Sequence, residues 1–235
     1  MSGPQKSPVI LALVASVIML MSSILCLAFK MTAYNSYMEQ TGWGTSESIV
    51  KSPSYGADGF INLYPKHLLP VVRAPLVVAS SFGLVTGIAV TWLIARSIWI
   101  KRVQQLNFWQ QTTLITILSV NALLGTISMI YIFVQHGRSA HFDPGYVMTT
   151  TSYDHGLFSL EAWACESSRY VTEFRAYDLE KQCVGERASR SLMVVLCFFC
   201  LVVLGLLVWD LNTAQVVVAK KKRKREDSWE DEGWE

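Results

Sequence analysis

No acid, base or histidine stands near the middle of any long apolar run in this sequence. Proton-coupled carriers and ion pumps need such groups at that depth, so the pattern argues against active transport. Charge is scarce everywhere: 16% of the 235 residues are charged, against 51% hydrophobic. Ordinary soluble domains carry about 25% charge. Proline occurs seven times, only between apolar runs or at their starts. No Asn-x-Ser/Thr sequon is present, so N-glycosylation is not expected. The formal net charge of +2 averages unlike compartments and says little, and no nucleic-acid partner is expected.

What is present is four apolar runs, each long enough to cross ~30 Å of hydrocarbon as a helix. They span Pro8 to Phe29, Ala74 to about Ile100, about Phe108 to Val134, and about Ser191 to Trp209. In lipid every backbone amide needs an internal partner, so these runs are expected to be helical. The first run, preceded by Lys6, could also be read as a signal peptide. Its core of about twenty residues exceeds the usual 7–15 of a signal sequence, which favours a span.

Lys and Arg crowd the cytosolic flanks of membrane spans. Arg96, Lys101 and Arg102 fill the short connection between spans two and three, and Lys220 to Arg225 follow span four. Both termini are therefore expected in the cytosol. The expected organisation is residues 1–30 as amino terminus and first span, 31–73 as a first outer loop, and 74–134 as spans two and three. Residues 135–190 form a second outer loop, 191–218 the fourth span, and 219–235 a cytosolic tail.

The second outer loop contains Cys165 and Cys183, two of the five cysteines. Two nearby cysteines in an oxidising compartment normally pair, so a Cys165–Cys183 disulfide is expected. Such a bridge contributes on the order of 3 kcal/mol in the chain-entropy model. Met148 to Tyr153 and Arg169 to Tyr177 alternate in the manner of strands, predicting a partly β outer domain. The stretch from Asp178 to Arg190 is more helical, so span four is expected to begin early and project above the membrane. Trp163 either covers the disulfide and sheet or anchors at headgroup level. Arg187 and Arg190 are expected at headgroups near the helix entrance. His136, His141, Asp143, Asp154 and His155 match no zinc spacing, so no metal is expected.

Gly156, Leu157, Phe158, Trp163, Cys165, Cys183 and Arg187 or Arg190 together resemble the loop signature of claudin-like four-span proteins. Similar Leu-Glu-aromatic-Ala-Cys segments occur in four-span proteins of fungal membranes. Phe158 stands where claudins carry tryptophan, and the motif lies in the second outer loop rather than the first. Tetraspanins fit less well, because no Cys-Cys-Gly occurs. The resemblance implies an all-α transmembrane, four-helix bundle that organises other membrane components.

Within the runs, Ala79, Gly83 and Gly87 place a small residue at every fourth position of span two. Asn121 and Gly125, with Ser119, Ala122 and Thr126, offer a polar and small-residue face on span three. These faces serve either packing of spans two and three or a dimer contact. Cys197 and Cys200 in span four resemble the membrane Cys-x-x-Cys of four-span thiol oxidoreductases of the vitamin K epoxide reductase type, with Cys165 and Cys183 as relay partners. Burial in an apolar run disfavours the thiolate such chemistry needs.

The tail joins Lys220, Lys221, Lys222, Arg223, Lys224 and Arg225 to an acidic end containing Trp229 and Trp234. The basic block suits anionic headgroups, at ~1 kcal/mol per charge. The acidic end is too polar to fold alone, and its tryptophans resemble short motifs read by a cytosolic adaptor. The sequence thus predicts a non-enzymatic membrane organiser, scaffold or accessory protein, without cofactor. Its expected partners are the bilayer, a membrane protein or second copy, and an adaptor. A transport or channel subunit and the thiol oxidoreductase are the alternatives.

Overall fold

The computed structural model describes residues 6–42, 47–51, 58–69, 73–99, 108–146, 153–154, 156–171 and 174–231. Five helices and one strand pair make up the described chain. They are α1 (Lys6–Gly42), β1 (Glu47–Lys51), β2 (Asp58–Asn62), α2 (Arg73–Trp99), α3 (Phe108–Gly137), α4 (Leu160–Ser167) and α5 (Phe174–Asp231).

Four of these helices are long and apolar enough to cross a membrane: Val9–Glu39, Ala74–Arg96, Thr112–Gly137 and Tyr177–Thr213. Their outward faces carry large apolar side chains, among them Val85, Leu123, Ile127 and Phe198, each at least 60% exposed. A helix that is apolar on every side belongs in lipid or a protein core. The chain is accordingly a multi-pass membrane protein built as a four-helix bundle.

α1 packs on α2, α2 on α3, α3 on α5 and α5 back on α1. Long helices that follow one another are thus neighbours in a ring, although only the α2–α3 connection is short. The bundle core contains Met19, Leu76, Val90, Leu118, Met193 and Val203, all at most 1% exposed. No proline interrupts these helix interiors beyond the first turn, where a missing amide donor costs nothing.

α1 and α5 form the longest seam. On α5 a buried row runs through Leu179, Gln182, Glu186, Ser189, Met193, Leu196, Cys200 and Val203, with Gly185 and Cys197 buried beside it. The row's alternating steps of three and four mark one helix face. Gly185 lets the two backbones approach: a Cβ there would lie 3.2 Å from the Phe29 carbonyl oxygen and 3.3 Å from the Ala33 Cβ.

Several expectations need correction. The described residues between α3 and α5 contain no strand, so a partly β domain from that loop is not supported. Most of the 148–153 segment lies outside the described residues. In the 169–177 segment, the Tyr170 and Val171 amides close turns onto the Ser167 carbonyl, and α5 has begun by Phe174. The helical stripe that buries Leu179 and Gln182 runs on into α5 and overrides the local two-residue alternation. The strand pair lies instead in the first connection, where β1 runs antiparallel to β2 with Glu47 opposite Asn62 and Lys51 opposite Asp58.

The small residues of α2 do pack internally, but not chiefly on α3. A Cβ at Gly83 would come 2.7 Å from Ser23 Oγ of α1, and one at Gly87 would meet Leu20 of α1 at 3.2 Å. Ala79 is 1% exposed. The stripe is therefore consumed within one chain and does not present a dimer face. Gly125 of α3 admits Cys197 of α5, whose Sγ would be 3.0 Å from a Cβ there. The Asn121 amide donates to Cys200 Sγ at 3.5 Å.

The tail also differs. α5 continues through the basic block to Asp231 rather than ending with the membrane run. Lys, Arg and Glu are good helix formers, and extending an existing helix avoids the cost of nucleation. The lipid contacts expected of Lys220 to Arg225 and the adaptor contact of Trp229 concern side chains outside the described set, and Trp234 lies outside the described residues altogether.

Candidate functional site

At one end of the bundle, described segments of both long connections meet in a single cap. Its core joins Leu63 from the first connection, Phe142, Tyr153 and Phe158 from the second, Trp163 and Ala164 from α4, and Leu179 from α5. Trp163 is 1% exposed and lies 5.2–5.3 Å, centroid to centroid, from Phe142, Tyr153 and Phe158. Its indole N–H donates to the Leu63 carbonyl at 2.8 Å. That burial corrects the interfacial-anchor reading: Trp163 is the centre of the cap, not a headgroup residue. Burial also pushes the Tyr64 and Tyr153 hydroxyls above the usual tyrosine range. The Tyr64 hydroxyl accepts from Gln182 Nε2 at 2.8 Å, tying the first connection to α5.

The expected disulfide is present between Cys165 of α4 and Cys183 of α5. It locks α4 against α5 beside the aromatic cluster. Cys26, Cys197 and Cys200 are buried free thiols. Fourteen residues of α5 separate Cys183 from Cys197, about 21 Å along the axis at 1.5 Å per residue. The geometry thus does not bring the two cysteine pairs together for direct exchange.

The Gly-Leu-Phe triplet splices the two connections. The Phe158 amide donates to the His67 carbonyl at 3.2 Å, and the Leu69 amide to the Phe158 carbonyl at 2.8 Å. The Ala140 amide donates to the Leu157 carbonyl at 2.8 Å. Gly156 has φ +95°, and a Cβ there would lie 2.6 Å from the Ala140 Cβ. Gly156→Ala is expected to cost at least about 1–2 kcal/mol through its backbone alone, plus the clash. A paired Ala140→Gly change should relieve only the steric share. Thermal unfolding of the three variants separates the two contributions; identical stability of single and double variants would remove the clash from the account.

Beneath the cap lies a charged cluster that its members' positions in the sequence do not announce. Lys30 Nζ contacts both carboxylate oxygens of Glu186, at 2.7 and 2.6 Å, with the two side chains 4% and 8% exposed. Arg190 reaches Glu161 at 3.0 Å and lies 5.4 Å from the Phe133 ring centre. Arg190 is therefore an internal ion pair and not a headgroup contact, whereas Arg187 is exposed. Burial raises the Glu161 carboxyl above its ordinary range, against the opposing pull of Arg190 and His136. His136 Nδ1 lies 3.7 Å from Glu161 Oε2, too far for a hydrogen bond, and is buried without a partner.

These groups surround a cavity of about 230 Å³, closed below by Leu76 and Ile132. It holds the equivalent of roughly seven or eight waters. Tyr34 and Tyr37 form one wall from α1, and Ser159, the N-cap of α4, faces them from the cap side. Elsewhere His141 approaches Glu166 at 2.8 Å. Among the described residues no group of three or more His, Cys, Asp or Glu side chains converges as a metal site.

Sequence reasoning picked out Trp163, Arg190 and the cysteines but missed Lys30, Glu161 and Glu186. The available signal was the three-and-four spacing on α5, with Glu186 inside it. Comparisons with protein-family models, curated proteins and solved structures yield no match to this chain.

Proposed function

We propose that this chain is a non-enzymatic membrane organiser of claudin-like type, acting as a scaffold or accessory protein. The observation that carries the reading is the cap: described segments of both long connections meet in one cross-linked, aromatic-packed platform fixed to the bundle. A rigid platform on four spans suits lateral recognition of another membrane component. In the bundle Leu118, Met193 and Val203 are buried, and the buried Ser16, Ser23, Thr86 and Asn121 spend hydrogen bonds on helix carbonyls or Cys200 Sγ, which does not favour a polar path for a transport or channel subunit. In this reading the cap faces away from the cytosol, since the disulfide needs an oxidising compartment and the basic segments belong on the other side. The basic block contacts anionic headgroups, and Trp229 and Trp234 meet a cytosolic adaptor.

The test is in-cell crosslinking followed by native electrophoresis of the chain tagged at its carboxyl terminus. Discrete assemblies with another membrane protein or a second copy are expected, and Cys165→Ser with Cys183→Ser should disperse them while the spans stay inserted. Purified protein that is monomeric in cells yet moves a solute across liposomes would replace this reading with the transport one. Protease removal of the tag from the outside of sealed vesicles would overturn the orientation.

A further inference from the structure

We infer that the cavity beneath the cap is a binding site for a zwitterion carrying an ammonium and an oxyanion, such as a phosphocholine or phosphoethanolamine head. The inference goes beyond the organiser reading and does not depend on it. Its first support is charge balance. Two ion pairs, Lys30 with Glu186 and Arg190 with Glu161, line one small space. A guest of single charge would meet both attraction and repulsion there, whereas a zwitterion can meet each sign with its opposite.

The second support is the placement of unused hydrogen-bonding capacity. His136 Nδ1 is a buried atom with no hydrogen-bond partner, 3.7 Å from Glu161 Oε2, and a cavity atom of that kind calls for one. An ammonium has three donors and Glu186 takes two of those of Lys30. A guanidinium has five, and Arg190 directs one amino group at Glu161. An oxyanion seated between His136 and Arg190 would use these directions.

The third support is the wall opposite. Tyr34 and Tyr37 line the cavity with ring centres 6.5 Å apart, and Tyr37 meets Tyr64 edge-on at 4.8 Å. Aromatic faces beside a carboxylate suit an ammonium, because the ring quadrupole attracts cations. The apolar floor at Leu76 and Ile132 matches the first carbons of an alkyl chain. About 230 Å³ is below the usual range for whole drug-sized ligands, so the space fits a head and not a whole lipid.

The same head chemistry can arrive on a membrane lipid or as a soluble molecule, and the test separates these sources. The full chain, purified in a nonionic detergent, is titrated with short-chain phosphatidylcholine and with phosphatidylglycerol and diacylglycerol of identical chains. Soluble glycerophosphocholine forms a fourth arm. Phosphatidylcholine is expected to raise Tm by on the order of 3–6 °C at tenfold excess over Kd, with no matching rise for the anionic or uncharged lipid. A rise with glycerophosphocholine as well supports a head recognised without its chains; a rise with phosphatidylcholine alone supports a membrane source. Ile132→Phe, which fills the cavity floor, should abolish the rise. Tyr34→Leu, which keeps every charge, should weaken the binding of phosphatidylcholine at least several-fold. Equal stabilisation by phosphatidylglycerol or diacylglycerol, a rise retained in both variants, or no rise in any arm would overturn the assignment.

Discussion

Lys30→Met is expected to destabilise the bundle by about 3–5 kcal/mol, because it leaves Glu186 as an uncompensated buried charge. The two side chains meet at 2.6–2.7 Å in the α1–α5 seam and are nearly sealed from solvent. Glu186→Leu alone should cost a similar amount by stranding Lys30. The double variant Lys30→Met with Glu186→Leu should recover most of the loss, since replacing a buried pair by apolar residues is often neutral or better. Unfolding followed by tryptophan fluorescence in detergent gives the coupling from the four-membered cycle. Additive losses would show that the two residues do not act as a pair, since contacting partners couple by 0.5–3 kcal/mol or so.

That pair also shows where sequence reading reached its limit. Lys30 directly follows the first apolar run, the place where a basic residue ordinarily meets headgroups or water. Glu186 falls in a polar segment rich in charges. Neither position is unusual alone; what matters is that α1 continues past Lys30 to Gly42 while α5 starts at Phe174, so both residues lie on facing helices. The four apolar runs and the disulfide were legible because length, composition and compartment chemistry act locally. The early start of span four was legible as well, from the helical character of 178–190. The strand assignment for 169–177 failed because alternation over a few residues competes with a helical stripe that continues for several turns. Gly156 was noted for its motif, but its positive φ and close approach to Ala140 depend on how two distant segments meet. Gly83 and Gly87 were expected to pack span two on span three, but a stripe of small residues does not specify which neighbour it receives. Here α1 supplies Leu20 and Ser23, and α5 supplies Leu196.

Trp163→Ala should remove the cap's centre and cost about 3–5 kcal/mol, the range for deleting a large buried aromatic. Three terms act together. The indole is packed among Phe142, Tyr153 and Phe158, its N–H satisfies the Leu63 carbonyl, and its helix carries Cys165. Trp163→Phe keeps much of the packing but orphans the carbonyl, so it should cost about 1–3 kcal/mol. The disulfide itself contributes about 3 kcal/mol in the chain-entropy model, by limiting the unfolded cap rather than by packing. Losing the indole should therefore expose the bridge without breaking it: Cys165–Cys183 should become reducible by mild thiol, and the cap should become open to protease. The four long helices have their own core at Met19, Leu118 and Met193, so they should remain folded and inserted. A headgroup anchor would behave differently, since Trp163→Tyr would preserve it and reduction of the disulfide would proceed at the original rate. Unchanged protection of the bridge in Trp163→Ala would mean that the disulfide, and not the aromatic cluster, holds the cap on the bundle.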